Sequence, residues 1–164
     1  MIHEGQEYAR SKVTASTNAP DTNVGYIDHN SYNKDNETNY LDYTQRDLNR
    51  PLYNYYKGLT ALRAQWTAFV NAPKNATKFL PTQDEFFIAY TLKNTPGAGK
   101  AKEFLVLLNG NPEKPGLFEL PKGEWTLLAN DAVVDPSGKL GKAQPMVRVP
   151  ATSGMVLVRN SNGK

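Results

Sequence analysis

The segment Met1-Ile-His-Glu-Gly-Gln-Glu7 sets one imidazole and two carboxylates close together in the chain. A zinc peptidase would need a second histidine where Glu7 stands, and a helix where Gly5 opposes one, so this pattern does not form a metal site. His29 is a lone histidine in a polar loop and reads as a hydrogen-bonding residue. Asp28, Asp35 and Asp42 are spaced without the pattern of a calcium loop. The chain has no cysteine, hence neither a thiolate metal site nor a disulfide framework. No metal and no cofactor is expected. The acids of the N-terminal part (Glu4, Glu7, Asp28, Asp35, Glu37, Asp42, Asp47) each read as loop caps, Asx-turns or solvated surface rather than an acid/base pair.

Three zones carry these residues. Residues 1–49 are rich in Asn, Asp, Thr and Tyr, and runs such as Thr17-Asn-Ala-Pro-Asp-Thr-Asn-Val-Gly25 are turn chemistry throughout. Eight of the nine tyrosines fall before residue 57, which disfavours simple disorder because such rings need something to pack on. The second zone is a helix. Asn49 is a candidate N-cap and Pro51 sits in the first turn, where a missing N–H costs nothing. Leu52, Tyr55, Leu59, Leu62, Trp66 and Phe69 recur at steps of three and four, one apolar stripe that must finish before Pro73. Gly58 inside it marks close packing against another backbone.

From about Phe79 onward the signal is strand. Candidates cover 85–92, 102–109, 116–120, 125–130, 146–150 and 155–159, separated by turns such as Asn94-Thr-Pro-Gly97 and Asn109-Gly-Asn-Pro112. Short alternating strands of this kind predict an antiparallel sandwich. Trp66 and Trp125 read as core aromatics, whereas an exposed Trp125 would support a sugar-binding face.

Composition excludes more than it selects. Net charge is +3, with −3 on residues 1–50 and +6 on the rest, but the basic residues are scattered singly. That pattern is a solvated surface, not a nucleic-acid footprint. No apolar run is long enough to span a membrane, and no signal-peptide pattern is visible, which leaves the compartment open. The first residues read as the end of a buried strand with no core of their own until Leu52. The chain is therefore expected to be the end piece of a larger fold.

The run Met1-Ile-His-Glu-Gly-Gln-Glu-Tyr-Ala-Arg-Ser-Lys12, then Ile27-Asp-His-Asn-Ser-Tyr32, Asn39-Tyr-Leu-Asp-Tyr43 and Tyr55-Tyr-Lys-Gly-Leu-Thr-Ala-Leu-Arg63, resembles the C-terminal part of type I pullulanases. These are starch-debranching members of glycoside hydrolase family 13, the α-amylase superfamily. Glu103-Phe-Leu-Val-Leu-Leu-Asn109, Leu120-Pro-Lys-Gly-Glu-Trp-Thr-Leu-Leu128 and Val149-Pro-Ala-Thr-Ser-Gly-Met-Val-Leu157 are similar to the terminal β-sandwich of the same enzymes. The resemblance implies a mainly β chain: an antiparallel β-sandwich (domain C, 73–164) preceded by a remnant of a (β/α)8 barrel (1–72). That remnant would comprise strand eight over 1–5, a long loop over 8–49 and helix eight over 52–69.

The resemblance also implies where chemistry is missing. Glycoside hydrolysis needs two carboxyl groups, about 5 Å apart in a retaining enzyme. The family supplies its acids from earlier barrel strands, so no catalytic residue is expected here. Barrel enzymes build their sites from loops at the C-terminal ends of the strands. Asp28, Asn30, Tyr32, Asn39 and Asp42 are therefore the candidates for contact with an α-glucan such as pullulan, starch or glycogen. Gln6 and Glu7 are expected to support the rim. Stripped of neighbouring strands, the first fifty residues should be disordered, or the exposed barrel remnant should self-associate. The competing readings are a non-catalytic carbohydrate-binding sandwich, a related α-amylase or α-glucosidase, or a sandwich that only caps the barrel.

Overall fold

A computed structural model of the chain describes residues 2–16, 23–94 and 102–160. Met1, most of the Thr17-to-Gly25 run and most of the Asn94-to-Gly97 turn lie outside the described residues. The chain divides into two compact units, Met1–Tyr56 and Lys57–Lys164.

The second unit is a layered β structure. β1 (Thr77–Leu80), β2 (Phe87–Lys93), β3 (Lys102–Asn109), β7 (Ser153–Asn160) and β5 (Thr126–Ala129) form one antiparallel sheet in that order. β4 (Gly116–Glu119) and β6 (Met146–Val149) form a second, two-stranded sheet. The order follows from burial. Phe104, Leu105, Val106 and Leu107 of β3 are all buried, as a central strand covered on both faces requires. Leu105 and Leu107 turn toward the small sheet and join Ala89, Phe118, Trp125, Val149 and Leu157. Phe104 turns the other way and meets Leu62, Ala68, Leu92, Leu128 and Val158. Here Trp66 and Phe69 stand edge-on to the Phe104 ring at 5.3 and 4.8 Å. Trp125 is 1% exposed, so it is a core residue and offers no open face for sugar. Its indole N–H donates to the Pro121 carbonyl at 2.7 Å, and the Arg159 guanidinium lies 4.5 Å from its ring centroid.

Asn109 closes the end of β3. Buried at its side chain, it donates through Nδ2 to the carbonyls of Lys114, Val149 and Pro150, and its Oδ1 accepts the Asn111 N–H at 2.9 Å. The Gly110 N–H donates to the Phe86 carbonyl.

The expected helix is present as α2 (Arg50–Gln65), preceded by the short α1 (Thr44–Leu48) and followed by α3 (Ala68–Asn71). The stripe therefore breaks after Gln65, and Phe69 reaches the core from α3. The C-terminal part of α2 belongs with the sheet through Leu62. Asn49 does not cap α2 with its side chain; its amide donates to the Tyr8 carbonyl at 2.9 Å.

In the first unit, residues 2–5 form no strand. Gly5 is left-handed (φ 87°) and turns the chain into a 3-10 turn at Gln6–Tyr8. An extended segment with no adjacent strand has nothing to accept its backbone hydrogen bonds, and the local turn supplies them instead. No helix among the described residues is long and apolar enough to cross a membrane.

Candidate functional site

The loop residues singled out by type lie within Met1–Tyr56, a unit held mainly by hydrogen bonds. Among the described residues of this unit Tyr8 is the one fully buried large apolar side chain, while Thr14, Asp28, Ser31 and Thr38 are buried polar residues. A short antiparallel contact fixes the starting point: Thr14 N–H donates to the Tyr26 carbonyl, Asp28 N–H donates to the Lys12 carbonyl, and Val13 pairs with Ile27.

From there the chain closes into a clasp. One oxygen of Asp28 accepts the Asn30 N–H at 2.8 Å, an Asx-turn, and the other pairs with the Lys34 ammonium. The Lys34 contact, then the Asn30 N–H, hold the Asp28 carboxyl below the usual carboxylate range, although burial opposes them. Asn39 locks the far side: its Nδ2 donates to the carbonyls of Ser31 and Lys34, and its Oδ1 accepts the Ser31 hydroxyl at 2.8 Å. Thr38 ties this turn back to the first strand segment by accepting the Ala15 N–H at 3.0 Å. Arg10 adds a donor to the Asn39 carbonyl.

The clasp sorts the candidates. Asp28 and Asn39 point inward and work on the loop itself, with Ser31, Lys34 and Thr38 as partners that reading residue types alone did not single out. A small Ser beside Asn and a Lys six positions after an Asp were the available signals. Asn30 and Tyr32 are turned out; Tyr32 is 84% exposed, and Tyr26 and Tyr40 are exposed as well. Asp42 sits apart from the clasp. It accepts the Thr44 hydroxyl at 2.6 Å and the Thr44 N–H at 2.9 Å, bonds that hold its carboxyl below the usual carboxylate range and tie it to the first residue of α1. Gln6 accepts the His3 N–H, and Glu7 lies in the 3-10 turn; both serve the first turn of the unit. Arg10 folds back toward the same turn, donating to the Glu4 carbonyl.

The arrangement offers an exposed phenol ring and an exposed amide on a hydrogen-bonded polar loop. Such a pair suits a ligand with alternating apolar faces and hydroxyl edges.

Comparison with known proteins shows what the chain is similar to. Residues 74–132 match the family model described as "Pullulanase, all-beta domain". That stretch is similar to the all-beta domain of pullulanases. A pullulanase from Bacillus acidopullulyticus has the same fold, at TM-score 0.75 and 25% identity over 94% of this chain. The match spans 18% of that pullulanase's length. The mainly β, antiparallel architecture shared with that pullulanase is the expected one.

Proposed function

We propose that this chain is a segment of a pullulanase-type enzyme that hydrolyses α-1,6 bonds in α-glucans. On this reading its own share is to position sugar, and the cleaving acids lie elsewhere in the enzyme. The observation that carries the reading is the clasp: six polar residues are spent on holding one loop, and what that loop presents is Tyr32 and Asn30. Tyr32 would stack on a glucose ring and Asn30 would bond a hydroxyl edge. Asp28 and Asn39 hold both in place, and Asp42 supports the helix that follows. In an enzyme carrying this segment, Tyr32→Ala should raise KM for pullulan about tenfold, since an aromatic contact is worth about 0.5–1.5 kcal/mol beyond area burial, with kcat changed less. Unchanged KM in Tyr32→Ala and in Asn30→Ala would remove the sugar-contact role. The chain alone should leave pullulan intact; reducing ends released above background would place catalytic acids within it.

A further inference from the structure

We draw no further inference here: the strongest candidate, the open groove on the outer face of the five-stranded sheet bordered by Phe79 and Tyr90, is an unpartnered apolar face, and nothing in the structure shows what covers it.

Discussion

At the scale of single residues, Asp28 and Asn39 show how polar side chains can replace a core. Asp28 makes its loop sensitive to acid. Its folded carboxyl titrates below the free value of about 4, because the Lys34 contact and the Asn30 N–H stabilise the charged form. The stabilisation it lends is complete above the free value and fades as pH falls through the lower folded value. The Asn30 amide shift should therefore follow a titration centred below about 4, and Asp28→Asn should remove that dependence. A midpoint at or above the free value would show that the Lys34 contact does not persist in solution. Residue types alone marked Asp28 and Asn39 as candidates, because Asn and Asp in a tyrosine-rich loop suit both sugar and backbone. They could not reveal which of the two each would bond, since that depends on Ser31, Lys34 and Thr38 closing from other turns.

At the scale of elements, what was legible followed periodicity. β3 and β7 read clearly because their apolar runs are long enough to be covered on both faces. The strand expected over 85–92 is realised as Phe87–Lys93, its start delayed by an Asp84 turn whose carboxylate accepts the Phe86 N–H. α2 was legible from its stripe, whereas its stop after Gln65 was not, because Trp66 and Phe69 keep the same apolar spacing through the break. β1 was not among the expected strands: four residues carry too little alternation to announce one. The expected strand over residues 1–5 failed for a different reason, because a single strand is defined by neighbours rather than by its own residues. Gly58 was flagged as a close-packing position, and the geometry gives the cause. An added Cβ would meet the Val134 Cβ at 2.6 Å and the Val134 carbonyl oxygen at 2.9 Å. Helix propensity alone would favour Gly58→Ala by about 1 kcal/mol. Overpacking costs about 1–3 kcal/mol, so the variant should melt at a lower temperature than the parent chain. A higher melting temperature would mean that α2 can slide away from Val134 at little cost.

At the scale of the whole molecule, the two units are stabilised by different physics. Lys57–Lys164 buries two apolar clusters on either side of one sheet. Among its described residues, Met1–Tyr56 buries one tyrosine and a set of polar side chains, each hydrogen bond contributing about 1 kcal/mol net. Local opening should begin where apolar burial is least. Amides of Asn30, Thr38 and Asn39 should exchange with solvent deuterium well before those of Leu105 and Leu107. Equal protection in the two sets would show that the clasp is supported by more than its own bonds.

Asn109 carries a last consequence, for durability. An asparagine followed by glycine is the sequence most prone to spontaneous deamidation, in which the glycine nitrogen attacks the side-chain amide and ammonia leaves. Here the attacking nitrogen is tied to the Phe86 carbonyl, and the amide under attack is anchored by three carbonyls. Prolonged warm storage should leave this position unconverted by peptide mass analysis as long as the sandwich stays folded. Conversion, once it occurred, would set a carboxylate against those same three oxygens, so ageing at this one position should be rare in the native state and irreversible in its damage.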